Sequence, residues 1–254
     1  LAISDSYDFS LSRDDIIQDA LEDIGVLGEG FAMNAEHVNK GNRKLNMLIN
    51  QISSQADFSY GKKIWARKRG YLFLASGQVE YDLGPGSGDA RWTSSYVTTT
   101  STANAAAAAT TLTVSSITGF SSADQIGIKL NDGTLHWDVI NGAPAGSTIT
   151  LTAGLASAAQ SGSRIFGYTS KAQRPQRILT VIRRDTDGND DMMDEIVTLA
   201  DYEAISDKDS VGTPLAYHEE PRVDSVRLLI DQGPEDTSDV LRIAYHRPLA
   251  DFDS

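Results

Sequence analysis

The chain has 254 residues and not one cysteine. That absence excludes a disulfide framework, a thiolate metal site and a thiol nucleophile, while leaving the redox compartment open. Basic charge is in short supply: 22 lysines and arginines face 35 aspartates and glutamates, for a formal net charge of −13. Duplex DNA would therefore meet net repulsion, and a general nucleic-acid clamp is disfavoured. No apolar run approaches the roughly 18 residues of a membrane span. The opening LAISDSYDFS lacks the basic start and apolar stretch of a signal peptide. A soluble chain without a membrane partner is expected, and because it opens on Leu1, a few native residues are expected ahead of it. Catalytic signatures are missing too. His37, His136, His218 and His246 show no H-E-x-x-H spacing, and no G-x-S-x-G, Walker or dinucleotide-binding pattern occurs. The chain is not expected to be an enzyme or to need a cofactor or metal.

What is present suffices for a globular protein, since 40% apolar residues can bury a core of ordinary size. Ser12 and Asp15 have capping-box spacing ahead of Ile16, Ile17, Ala20, Leu21 and Ile24, which predicts a helix over residues 13–24. Glycines 25, 28 and 30 break it. Asn34 is placed to cap a second helix with Val38, Leu45, Leu48, Ile49 and Ile52 on one stripe and an amide-rich opposite face. Weak helix formers such as Asn39, Asn42, Asn46 and Asn50 make that helix dependent on packing.

From Tyr71 the period changes to that of strands. Two short ones, around Tyr71–Phe73 and Val79–Leu83, are joined by ASGQ. Residues 92–170 are rich in Thr, Ser and Ala and read as an inserted β module. Its strands are expected at 111–114, 125–130, 134–140, 148–151 and 164–168, with Asn131, Asp132 and Gly133 as a hairpin turn. The alanine tract 103–111 reads as a linker between extended threonine runs. Further on, Ile178–Arg183 and Ile196–Leu199 are expected to form a hairpin about DTDGND. A short helix follows over 200–205, then final strands at 225–231 and 240–245. The expected fold class is α+β. It comprises an N-terminal α-helical bundle element (1–70), an antiparallel β-sheet domain (71–91 and 171–254) and the small inserted β module (92–170).

Two charge clusters stand out. GKKIWARKRG gathers Lys62, Lys63, Arg67, Lys68 and Arg69 around Trp65, reversing the sign of the surrounding chain. Such a run can grip phosphate or an acidic protein. An intersubunit contact or a solvated face is favoured over direct DNA contact, with Trp65 as an interface or core anchor. Residues 185–209 hold ten carboxylates and one lysine, a local charge of −9. Within them Asp185, Asp187, Asp190, Asp191, Asp194 and Glu195 make a candidate acidic surface. DTDGNDDMMDE puts its glycine at the fourth position rather than the sixth that an EF-hand needs, so a hairpin turn is the better reading. Glu219 and Glu220 are paired carboxylates beside His218, but neighbours on a strand point to opposite faces and suit a glycosidase poorly.

Taken in order, several segments together resemble the head-to-tail connector proteins of tailed bacteriophages, the adaptor group that includes packaged-DNA stabilisation proteins and tail tubular protein A. They are RDDIIQDALEDIGVLGEG, LNMLINQIS, IWARKRGYLFLASGQVEYDLGPG, RPQRILTVIRRDTDGND, LADYEAISDKDSVGTPLAYHEE and VLRIAYHRPLADF. The resemblance spans most of residues 10–253 and leaves out the inserted module. It implies a virion protein assembled in the host cytoplasm. That protein is a homo-oligomeric ring, commonly of twelve copies, which docks on the portal protein, carries the tail and lets DNA pass without specific recognition. An acidic wall suits such a conduit, because passing phosphate finds no cations to bind. Two other classes compete: a cell-wall glycan hydrolase and a receptor-binding tail module.

Overall fold

The computed structural model describes residues 11–28, 30–54, 66–86, 88–208 and 210–248, leaving out the side chains of 52–54. The chain falls into two compact units, Leu1–Gly61 with Pro248–Ser254, and Lys62–Arg247. The class is α+β.

The first unit holds two helices, α1 (Arg13–Asp23) and α2 (Ala35–Ser54). They make a pair, so the expected bundle is not seen among the described residues. Local chemistry sets the helix ends. The Ser12 hydroxyl accepts from the Asp15 amide at 3.2 Å while the Asp15 carboxylate accepts from the Ser12 amide at 3.0 Å, the reciprocal box expected from the sequence. The Ser12 hydroxyl, donating to the Asp15 carboxylate at 2.6 Å, and then the Ser12 amide hold that carboxyl below its usual range. Gly25, at φ +72°, takes the left-handed position just past α1. The Asn34 side chain accepts from the His37 amide at 2.8 Å and opens α2. Where the helices meet, a Cβ on Gly41 would overlap the Ile17 side chain, so glycine is what permits the close crossing.

The second unit is mainly β. In chain order its strands are β1 (Arg67–Phe73), β2 (Glu80–Leu83), β3 (Trp92–Thr93), β4 (Val97–Thr100), β5 (Thr111–Thr113) and β6 (Gln125–Lys129). Next come β7 (Leu135–Val139), β8 (Thr148–Thr150), β9 (Arg164–Tyr168), β10 (Arg177–Arg184), β11 (Asp190–Met192) and β12 (Asp194–Glu195). After a short helix α3 (Leu199–Glu203) follow β13 (Val211–Gly212), β14 (Ala216–Pro221), β15 (Val226–Ile230), β16 (Gly233–Pro234) and β17 (Val240–His246).

Two sheets face one another. One has the order β11-β10-β17-β1-β3 and is antiparallel throughout; the other has the order β12-β14-β15-β2, with only β12 parallel to its neighbour. Alternate residues of both, including Leu72, Val181, Leu241 and Ile243 from the first and Tyr81, Leu83, Leu228 and Ile230 from the second, form a single buried core. At Gly70 a side chain would overlap the Trp92 ring, which is fully buried and donates its indole N–H to the Gln173 carbonyl at 3.1 Å.

The strands expected around Tyr71–Phe73 and Val79–Leu83 are present as β1 and β2, and they lie in opposite sheets. Two expectations are corrected here. The partner of β10 across DTDGND is Asp190–Met192, not Ile196–Leu199. The chain then switches sheets at buried Met193, runs beside β14 as β12, and turns at Thr198, whose hydroxyl accepts from the Asp201 amide to cap α3. Residues 67–70, expected in the helical portion, are the first part of β1, and β14 had not been expected at all.

The inserted module has a core of its own built on Leu112, Ile126, Ile128, Ile149 and Ile165, within the sheet β4-β9-β6-β7 and the pair β5-β8, whereas Trp92 and Thr93, expected within it, form β3 of the first sheet. The β6–β7 hairpin turns at Gly133, φ +84°, as the sequence suggested. The alanine tract is not helical; Ala105 bridges to Ala159 instead. This module is locked onto the first sheet. Phe73 meets Tyr96, Trp137, Phe166 and Tyr168 with ring centroids 5.0 to 5.9 Å apart, and Thr237 and Lys129 add polar ties at 2.6 Å to the Gly133 carbonyl and to Asp236.

Candidate assembly surfaces

Lys62, Lys63 and Trp65 lie outside the described residues. Arg67, Lys68 and Arg69 are exposed at the start of β1. That strand pairs with β17 along its whole length, but with β3 only at Tyr71 and Leu72, so residues 67–70 have no outer partner among the described residues. Residues directly opposite in a ladder share a face. The register therefore sets Arg67, His246 and Arg177 in one row across the sheet, and Tyr71, Arg242 and Ile182 in another on the same face. Arg177 carries no signal in the sequence, because only strand pairing sets it in the row of Arg67; Arg242, opposite Tyr71, is held by Asp190.

The acidic cluster is divided in its uses. Asp185 accepts from the amides of Asp187 and Asn189, both at 2.9 Å, and shapes the β10–β11 turn, where Gly188 has φ +90°. Hydrogen bonds from Asn189 hold its carboxyl below the usual range. Asp190 binds Arg184 through both oxygens, at 2.8 and 2.9 Å, and also reaches Arg242 at 3.0 Å. The bond from Arg184 lowers its pKa. Asp191 pairs with Arg183, which also holds buried Asp239 at 2.7 Å. Asp187, Asp194 and Glu195 stay exposed. Half of the proposed acidic surface is thus engaged in holding the hairpin. Among the described residues no group of three or more His, Asp or Glu is arranged for a metal ion.

Glu219 and Glu220 do not converge. Glu219 points into the sandwich and accepts from the Ile178 amide at 2.9 Å, beside the bulge in β10, so it ties the two sheets together. Burial pushes its pKa up, against the lowering effect of that hydrogen bond. Glu220 lies with Arg222 at 3.2 Å. His218 sits 2.7 Å from the Ile196 carbonyl through Nδ1 and stacks on Tyr202.

No protein-family model, curated protein or solved structure matches the chain.

The helix pair offers a different kind of surface. An apolar groove of about 600 Å³ runs between α1 and α2, lined by Ile16, Ala20, Leu21, Ile24, Leu45 and Leu48. In α1 only Ile17 is buried, whereas Ile24 is 71% exposed and Leu48 on α2 is 50% exposed. The two helices also differ in charge: α1 carries five carboxylates and one arginine, α2 three cations and one glutamate. In the inserted module a polar groove of about 680 Å³ is lined by Thr98, Thr100, Ser115, Ser163, Lys129 and Arg164. Its hydroxyls and two cations suit a polar or anionic surface better than an apolar ligand. Among the described residues no helix is long and apolar enough to cross a membrane.

Proposed function

We propose that this chain is a structural assembly protein, the ring-forming adaptor between the portal and the tail of a tailed bacteriophage. The observation that carries the assembly part is the uncovered apolar groove of the helix pair: a water-facing stripe holding Ile24, Leu45 and Leu48 is stable only where a partner covers it. The head-to-tail identity rests on the ordered sequence resemblance. In this reading copies pack side by side through the helices, twelve to a ring by analogy with that family. The net charge of −13 keeps the genome from adhering as it passes.

Light scattering after size-exclusion tests it. The chain alone is expected to run as a monomer or weak oligomer, and to form a large stoichiometric complex when mixed with the portal protein of the same virus. Leu48→Asp should abolish that complex while leaving the β unit folded, because a charge in the groove would be desolvated on assembly. Failure of the wild-type chain to bind portal would overturn the adaptor reading.

A second reading is favoured by the hydroxyl-lined groove of the inserted module, which can contact a glycan or another tail protein. Binding of soluble cell-wall fragments that is lost in Arg164→Ala would favour it.

A further inference from the structure

The first sheet ends in two edges of opposite charge. At one end β11 is a three-residue edge strand, exposed throughout, with Asp190 and Asp191 on it and Asp187 in the turn before it. Toward the other end, residues 67–70 of β1 have no strand neighbour on their outer side among the described residues, and Arg67, Lys68 and Arg69 are exposed. Both stretches keep outward-facing backbone N–H and C=O groups that a further strand can pair. Their lengths are similar, three residues against four.

Their directions match as well. Each neighbouring pair in β11-β10-β17-β1 is antiparallel, so β11 runs opposite to β1. A second copy set in the same orientation would bring its β11 to the open part of β1 as an antiparallel strand, continuing the sheet. Charge then selects the pairing. Two β1 edges repel, as do two β11 edges, and this disfavours a two-fold symmetric contact. A β1 edge and a β11 edge attract, which favours a head-to-tail one. Charged edges commonly guard a sheet against aggregation, and like-charged edges would do only that; opposite charges on the two ends also prescribe one permitted partner.

We propose that the β11 edge of one copy adds to the β1 edge of the next, with Asp187 and the exposed side of Asp191 meeting Arg67, Lys68 and Arg69; Asp185, Asp187, Asp190, Asp191 and Asp239 outnumber Arg183, Arg184 and Arg242 at that end, so it stays acidic although Asp190 and Asp191 are paired within the chain. The contact is heterologous and complements the helix groove; its setting in a ring rests on the assembly reading above, but the edge pairing is separable from it.

Two charge-reversed chains test the pairing. One carries Arg67→Glu and Arg69→Glu. The other carries Asp187→Lys and Asp191→Lys, which spares Asp190 and leaves Arg183 its partner Asp239. In sedimentation at low salt the wild-type chain should show concentration-dependent association that weakens as salt is added. Each reversed chain alone should lose that association. An equal mixture should regain it, because every contact in an alternating array is again between opposite charges. Circular dichroism that matches the wild type would show that the losses are not unfolding. The inference is overturned if the mixture sediments no faster than its components, or if the wild type never associates at low salt. Portal binding keeps the two readings apart: complex formation with portal by both reversed chains, without rescue in the mixture, would sink the edge pairing and leave the adaptor reading standing. Rescue without portal binding by the wild type would do the reverse.

Discussion

The β unit and the helix pair solve the burial problem in opposite ways. In the β unit Leu72, Leu83, Val181 and Ile243 are completely buried between two sheets of the same chain, and the inserted module adds a second closed core. In the helix pair α1 buries Ile17 alone, while Ile24, Phe31 and Met47 are more than half exposed. Apolar burial contributes about 25 cal/mol per Å², so the β unit holds its driving force internally. The helices have caps and one close crossing, which is little for elements of 11 and 20 residues. Exposed apolar side chains occur in both regions, Val197, Leu215 and Val223 in the β unit among them, but Ile24 and Leu48 of the helix pair line a groove between two elements.

The comparison can be broken most severely at Trp92. Trp92→Ala should destabilise the β unit by about 3–5 kcal/mol in a denaturant titration, since it empties the space over Gly70. A cost near zero would mean that the core is not what holds this unit. At the helix pair, Ser12→Ala should cost about 1 kcal/mol, read as faster amide exchange confined to α1. Exchange that accelerates across the sheets as well would erase the distinction between the two regions.

A smaller effect is expected at Glu219, and its sign depends on pH. Burial raises this carboxyl in the folded protein, so its stabilising contribution is present below the ordinary glutamate range and is lost as pH rises through the raised value. Glu219→Gln keeps an acceptor for the Ile178 amide without the buried charge. It should match or exceed the wild type in stability at pH 7, with the gap closing in acid. A variant that is less stable at neutral pH would show that ionised Glu219 helps to hold the sheets together. Smallest of all, Leu48→Ala should change the stability of the unassembled chain by less than about 0.5 kcal/mol, because the side chain already faces water.

Much of the local structure is legible in the sequence. Ser12 with Asp15, Asn34 ahead of its helix, and Asn131 to Gly133 between alternating segments each carry their signal within a few residues, because caps and turns are satisfied by near neighbours. The strand Arg164–Tyr168 read equally well. β14 did not. AYHEEP has little apolar alternation, and its place is set by pairing with β15 and by the reach of Glu219 to Ile178 in the opposite sheet. The sheet switch at Met193 was hidden for the same reason. The sequence showed the basic and acidic runs but not that three of the six acids are engaged in the hairpin, nor that Arg177 shares a row with Arg67 across the sheet.

By itself, then, the order of residues determined the charge of each segment, the helix ends, the tight turns and the absence of thiol chemistry. These depend on residue type or on contacts a few positions apart. Only the tertiary structure decided which strands share a sheet, which edges remain open, which carboxylates are neutralised and which apolar stripe stays uncovered. Those outcomes follow from pairing register between residues more than a hundred positions apart, such as Arg67 and His246, where a one-residue slip would turn every side chain to the other face.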